Sequence, residues 1–277
     1  NMSFYEDETL CSKEAISHFF ASSRASHLWS LRALCNGIKA SLIERAIQVL
    51  REQIKAPRLR VLDVGSGKGG DLVKWLRHRP KMFVGIDISL PSVKEARERH
   101  MQLLQSGKAA TPASFHHLDV STEDIPLENS SIEIVSFQFS LQFMFSSVAA
   151  IEHALRESYR VLVPGGILVG IIPDGDRLAQ EFMRDDTVAA VLGHFLFRKF
   201  GTTTQKLHND PPVDIPYTFS LGNAEPCTEY IVFSAYLHQK FADAGFAPTL
   251  KDNTYSINAQ NYYTDDPEVQ TIVNALL

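Results

Sequence analysis

The sequence predicts an α/β chain built on a doubly wound, mostly parallel Rossmann-like sheet, with helices ahead of it and an antiparallel lid inserted late. Three observations predict it. A short apolar run leads into a cluster of four glycines, Val61-Leu62-Asp63-Val64-Gly65-Ser66-Gly67-Lys68-Gly69-Gly70-Asp71-Leu72, and a helical pattern begins at Asp71. Further strand-like runs then alternate with helical runs as far as Ile172. After Pro173 that alternation breaks into extended, turn-rich sequence.

Taken in order, Ser12 to Leu50 reads as helices, with Ile38, Leu42, Ile43, Ala46, Ile47 and Leu50 at helical spacing on one apolar face. Arg51 to Arg58 is a polar linker into the first strand. A helix over Asp71–His78 is stopped by Pro80, and Met82–Ile86 is the second strand. Pro91–Leu104 is a helix with proline near its start, Ser106–Pro112 a loop and Ser114–Leu118 the third strand. Ile132–Phe139 is the fourth strand, Ala149–Leu162 a helix closed by Pro164-Gly165-Gly166, and Ile167–Ile172 the fifth strand. Such βαβ alternation gives parallel strands with right-handed crossovers. Beyond Pro173, Arg177–Met183 is helical, and Phe195-Leu196-Phe197 and Tyr217-Thr218-Phe219-Ser220-Leu221 suggest a small antiparallel lid. Glu229–Ala244 reads as a helix stopped by Gly245, and Thr249–Ile257 as a sixth strand. The expected organisation is one domain over 1–277, divided into an N-terminal helical segment (12–56), a cofactor-binding core (59–173), a lid insertion (174–228) and a closing helix and strand (229–277).

Composition narrows the function. With 277 residues and 44% apolar content, the chain can bury one sizeable core. Its apolar runs are too short and too interrupted by charge to span a membrane. Glu6, Asp7 and Glu8 without an apolar stretch predict no signal peptide. Cys11, Cys35 and Cys227 lie far apart and match no metal spacing, which fits a reducing compartment without a zinc site. A net charge of -5 argues against a broad grip on a nucleic-acid backbone, so any such contact is local.

The glycine cluster points to a ligand. A strand, a turn that only glycine makes and a helix start are set end to end, and Asp87 closes the next strand about 20 residues on, where an acid accepts hydrogen bonds from a ribose. The cofactor is therefore of adenosine type. Gly65-Ser66-Gly67-Lys68-Gly69-Gly70 also fits the dinucleotide fingerprint, but Asp71 sets a carboxylate where a pyrophosphate needs bare N–H groups. Asp63 and Asp71 at either end of the loop suit a cationic, phosphate-free ligand such as S-adenosylmethionine. Gly65, Asp87, Asp119 and Gln138 fall at the ends of strands one to four, the rim where these sheets bind ligands.

With these residues in hand, the chain resembles the eukaryotic-type messenger-RNA cap guanine-N7 methyltransferases from about Ser17 to about Tyr255. The resemblance rests on LRALCNGIK (31–39), VLDVGSGKGGDLVKW, GIDIS followed by SVKEARERH, IVSFQFSLQFMF, and Thr228-Glu229-Tyr230-Ile231-Val232. It implies methyl transfer from S-adenosylmethionine, leaving S-adenosylhomocysteine, to N7 of the 5'-terminal guanosine of GpppN-capped RNA. On the cofactor side it implies Lys39 at the methionine carboxylate, Gly65 beneath the ligand, Asp87 on the ribose and Asp119 on the adenine. Gln138 and Phe143 would line the methionine end. On the cap side it implies Lys68, Lys74 and Arg99 on the triphosphate, Asn36 and Gln142 at the cap, and Glu229 on the Watson–Crick edge of guanine. An acceptor-only carboxylate there selects guanine over adenine. No catalytic acid or base is nominated.

The chain departs from the family pattern in three places. Gln142-Phe143 stands where the family has His-Tyr, Cys35 replaces the first Asn of an Asn-Asn pair, and the family's late cap-contacting Tyr has only Tyr262 or Tyr263 as counterparts. These departures bear on cap affinity more than on the cofactor. The resemblance also implies a nuclear, otherwise cytoplasmic, setting and work beside a guanylyltransferase/triphosphatase or an activating subunit, although no residue marks such a partner. Two other readings stay open: a methyltransferase for a small metabolite, and a non-catalytic cap- or cofactor-binding subunit. A dinucleotide oxidoreductase is disfavoured at Asp71.

Overall fold

A computed structural model describes residues 27–55, 58–190, 195–221 and 226–248. A long helix α1 (His27–Ile54) precedes β1 (Arg60–Val64), α2 (Leu72–Leu76), β2 (Met82–Asp87), α3 (Leu90–Gln105), β3 (Ala113–His117) and β4 (Ile132–Gln138). A 3-10 turn (Leu141–Ser146), α4 (Val148–Val161) and β5 (Leu162–Ile171) complete this half. The five strands form a sheet in the order β3-β2-β1-β4-β5, every neighbouring pair parallel. The order reverses between β1 and β4, and at that switch point the carboxyl ends of both strands open onto a crevice.

Period-two alternation decides which residues share each face of the sheet. Leu62 and Val64 on β1, with Val135 and Phe137 on β4, face Leu141, Phe145, Ile151 and Leu155. Val61 and Ile134 face the other way, onto Ile43, Ile47 and Leu50 of α1 and Trp75 of α2. Asp63 and Ser136, paired in register, continue that second face. The sequence thus points two polar side chains at α1, and Gln138 follows Ser136 by one more period. Ile43, Ala46, Ile47 and Leu50 hold α1 against the sheet, each large aliphatic burial stabilising by about 1.5–3 kcal/mol.

The linker expected from Arg51 is shorter than the sequence suggested, because α1 continues to Ile54. Pro164-Gly165-Gly166 does not close a helix either. It lies inside β5, where Leu162 pairs with Ile132 and Ile167 with Ile134, so five residues span what two span on β4. Among the described strands β5 lies at the edge, where a proline without its N–H is tolerated, and Gly165 takes the bulge's left-handed φ of 79°.

After β5 come α5 (Gly175–Phe182), β6 (Thr187–Ala190), β7 (Phe195–Lys199), α6 (Thr203–Lys206), β8 (Pro216–Leu221), β9 (Cys227–Tyr230) and α7 (Ser234–Asp243). Strands β6-β7-β8-β9 form an antiparallel sheet, the expected lid, which has its own core of Leu178, Phe182, Ile215, Tyr217 and Ile231. One expectation is corrected here: Glu229 sits in β9, not at a helix start, and the helix begins at Ser234. Thr228, Glu229 and Tyr230 pair with Thr218, Tyr217 and Pro216, so the edge of β8 claims this segment before a helix can nucleate. The expected strand Thr249–Ile257, Tyr262, Tyr263 and the chain before residue 27 lie outside the described residues.

Gly175 ties the lid to the rest. A Cβ there would run into the carbonyl oxygen of Val232 and come within 2.6 Å of its nitrogen. Because the obstacle is backbone, no rotamer relieves it. Gly175→Ala is expected to cost at least about 2–3 kcal/mol, read as a lower urea midpoint; an unchanged midpoint would show that Val232 yields freely.

Candidate functional site: a cofactor crevice beneath an acidic lid

The glycine loop is tied to the end of β2. Gly65 N and Ser66 N donate to the carbonyl of Ile86 at 2.8 and 2.9 Å, and Gly67 N donates to Asp87 Oδ2 at 2.7 Å. Asp87 Oδ1 accepts from Ser89 N at 2.8 Å. Each carboxylate oxygen keeps a further acceptor site, so Asp87 fixes the loop and can still accept from a diol. Gly65 has φ 72°, and a Cβ on it would collide with Ser140, whose Oγ donates to the carbonyl of Val64 at 2.6 Å. The ends of β1 and β4 approach this closely only because residue 65 has no side chain.

Behind the loop lies a charge cluster that sequence reasoning did not foresee. Asp71 heads α2 without capping it; its Oδ2 is 2.7 Å from Lys39 Nζ of α1 and its Oδ1 2.7 Å from Lys74 Nζ. Burial pushes the Asp71 carboxyl up, but the two ammonium groups outweigh it and hold the pKa below the ordinary carboxylate value. Lys39 also lies 5.3 Å above the ring of Phe139, at the mouth of the crevice. Lys74 is only 12% exposed, turned inward onto Asp71 and the carbonyl of Gly70, so it does not join the surface cations as expected. A lysine three residues after an aspartate on a helix is placed to fold back onto it.

Asp63 is fully buried. Burial, then the charge of Asp71, push its carboxyl up to about 7. A folded-state pKa above the unfolded value means stability that is present at low pH and lost as pH rises from about 4 through about 7. Asp63→Asn removes this term. Its stability relative to the parent is expected to rise by about 2–3 kcal/mol between pH 5 and pH 8, measured by urea denaturation at both values. A difference that stays flat would contradict the shift.

The other expected residues divide into two groups. Asp119 follows β3 by two residues, and its Oδ1 accepts from the N and Oγ of Ser121 at 2.9 and 2.6 Å. Gln138 ends β4, buried, with Nε2 donating to Ser136 Oγ at 3.2 Å. Gln142 and Phe143 lie on the 3-10 turn, and Asn36 lies one helical turn before Lys39. Lys68 and Arg99 stand apart on the surface beside the loop: Glu95 bridges them, 2.9 Å from Lys68 Nζ and 4.0 Å from Arg99 Nη2, while Arg99 also donates to the carbonyl of Gly69 at 3.3 Å.

Glu229 comes to the crevice from the lid. It is 5% exposed, and its Oε2 accepts from the hydroxyl of Tyr217 at 2.6 Å. Burial raises its pKa, opposed by hydrogen bonding from Tyr217, Gln142 and Cys227. β9 packs against the 3-10 turn after β4, which brings the lid to the end of the parallel sheet. Among the described residues no three His, Cys, Asp or Glu side chains could hold a metal, and no helix is long and apolar enough to cross a membrane.

The profile of the mRNA (guanine-N(7))-methyltransferase domain matches residues 12–264. The chain belongs to that family. Among curated members, the mRNA cap guanine-N(7) methyltransferase 1 of Arabidopsis thaliana is 28% identical over 247 residues, 83% of this chain and 64% of the relative. The Schizosaccharomyces pombe enzyme is 28% identical, over 76% of this chain and 58% of its own length. The Caenorhabditis elegans one is 27% identical, over 81% and 62%. The chain thus spans about three fifths of the length of these members. A solved S-adenosylmethionine-dependent methyltransferase from Clostridium acetobutylicum shares the fold at TM-score 0.51 and 13% identity, over 74% of this chain and 78% of that one. With the family's extent over 12–264, the lid belongs to the matched region, and the residues that join it to the sheet, Glu229 and Gln142, lie within it.

Proposed function

We propose that this guanine-N7 methyltransferase family member transfers a methyl group from S-adenosylmethionine to N7 of the guanosine that caps GpppN-ended RNA. The observation that carries the reading is Glu229, a buried carboxylate on the lid strand that packs against the 3-10 turn following β4.

The residues fit the cofactor. Asp63 Oδ1, Gln138 Oε1 and Gln142 Oε1 are buried oxygens without a partner among the described residues. Gln138 Oε1, at the end of β4, is an acceptor of the kind that a ligand bearing an ammonium group requires. Asp87 would accept from the ribose hydroxyls and Asp119 from the adenine amino group. Lys39 would receive the carboxylate, beneath the glycine loop that Gly65 keeps low. When bound, S-adenosylmethionine supplies a sulfonium methyl group, an electrophile needing no further activation.

Guanine N7 carries an in-plane lone pair and no proton, so no general base is needed. The chain's work is to hold the purine in line and away from water, a positional effect that can reach on the order of 7–11 kcal/mol. Glu229 would accept from N1–H and the 2-amino group. Gln142 would meet the guanine without a titrating group, Phe143 would line the methionine end beside Gln138, and Asn36 would approach the cap from α1. Lys68 and Arg99 would meet the triphosphate, displacing Glu95; Lys74 is left to hold Asp71. Capped RNA is accordingly the proposed partner and mRNA processing, with its nuclear setting, the proposed context. The test is methyl transfer from labelled S-adenosylmethionine to GpppA-ended RNA followed by nuclease digestion. N7-methylguanosine is the expected product; label at another position, or none with the cofactor bound, overturns the reading.

A further inference from the structure

We infer that Tyr217 is the positioning residue of the cap site: its hydroxyl fixes Glu229 in one rotamer and keeps it an ionised acceptor for guanine. The inference rests on the proposed function, since it assigns Glu229 to the Watson–Crick edge.

Tyr217 and Glu229 are directly opposed on β8 and β9. The tyrosine is fully buried, and its ring is packed between Phe182 of α5 and Phe197 of β7, with centroids 6.1 and 6.0 Å away. The hydroxyl therefore cannot swing away from the carboxylate it meets at 2.6 Å. It can only donate there, because burial and the neighbouring carboxylate hold its own pKa well above that of an ordinary tyrosine.

The consequence for Glu229 is twofold. The groups facing the carboxylate are Tyr217 from β8, Gln142 from the 3-10 turn and Cys227 from its own strand. None is a cation, so burial alone would favour the protonated acid. A protonated carboxyl presents a donor where guanine also presents donors, and binding fails. Each hydrogen bond to the ionised form opposes that outcome, and the one from Tyr217 is the shortest: Cys227 Sγ reaches Oε1 only at 3.8 Å. Saturating Oε2 from one side also sets the plane of the carboxylate, which decides whether two acceptor lone pairs can meet N1–H and the 2-amino group together.

Tyr217→Phe removes one oxygen from a packed ring and leaves the aromatic core in place. It is expected to raise KM for GpppA-ended RNA by ~10- to 100-fold, the loss typical of a hydrogen bond to a charged group. The value of kcat at saturating cap and the affinity for S-adenosylmethionine are expected to change little. The acidic limb of the kcat/KM profile should move to higher pH. Glu229 titrated by carboxyl-carbon NMR in the free protein should show the same upward displacement, a readout that needs no activity. In a Glu229→Gln background Tyr217→Phe should add almost nothing. An unmoved Glu229 titration with wild-type KM overturns the role of Tyr217 even if the parent methylates caps. Equal loss of cofactor and cap binding would also overturn it, by showing a structural role only. A displaced titration in a protein whose parent does not methylate caps would retain the tyrosine–carboxylate coupling and reject the cap reading.

Discussion

Asp87→Ala is expected to reduce affinity for S-adenosylmethionine by at least a hundredfold while the chain stays folded. Two effects add at this position. The carboxylate accepts from Gly67 N and Ser89 N, so removing it frees the glycine loop and the turn into α3 at once. It also removes the acceptor for the ribose. Hydrogen bonds to a charged group are worth about 1.5–3 kcal/mol each, so losing the two that a ribose diol would donate costs about 3–6 kcal/mol of binding, a factor of a hundred or more. Asp87 ends an otherwise buried strand at its rim and Val84 and Ile86 stay packed, so the core is kept while the lost Gly67 and Ser89 bonds lower stability. Titration calorimetry with S-adenosylmethionine decides it. Unchanged affinity would sink the assignment of the ribose to this carboxylate, and with it the orientation of the ligand along the rim.

The parallel half was legible in the sequence because its signals are local. Gly65 and Asp87 mark strand ends through chain punctuation, and the two-residue period of β1 and β4 fixes which side chains share a face. The miss at Pro164-Gly165-Gly166 has a local cause too: proline and glycine end helices and also make bulges in edge strands, and only the sheet order says which. The lid was legible as antiparallel from its alternation. Its last strand was not, because Cys227–Tyr230 is four residues long and owes its conformation to β8.

In the site, the sequence marked the rim residues and Glu229 but not the contacts that set their chemistry. Asp71 was read as a ligand-facing acid; only the packing of α1 on the sheet brings Lys39 to it from 32 residues away. The resemblance placed Lys74 with Lys68 and Arg99 on the triphosphate, yet its position on α2 turns it inward onto Asp71. Asp63 looked like one more loop acid, and its shift to about 7 depends on complete burial. Tyr217 was visible only as the first residue of a strand-like run in the lid. That it faces a carboxylate follows from register, which no sequence window carries.

Glu229→Gln tests the cap assignment with the least change of shape. The substitution replaces one acceptor oxygen by an NH2 donor, so at least one of the two guanine contacts becomes donor against donor. The loss should exceed that of deleting a neutral hydrogen bond, since a buried polar group is left facing its own kind, and cap kcat/KM is expected to fall by more than ~100-fold. Affinity for S-adenosylmethionine should hold, because Glu229 lies on β9 of the lid and not on the strand ends that carry Asp87, Asp119 and Gln138. Stability should not suffer: burial already raises the pKa of Glu229, and a neutral amide relieves that cost at neutral pH. The pH dependence separates this from a general defect. With Glu229 present, cap affinity should rise as pH rises through its elevated pKa and then level off; in the Glu229→Gln variant that limb should vanish. Equal losses of cap and cofactor binding would make Glu229 a structural element of the lid. A retained limb would assign the titration to another group.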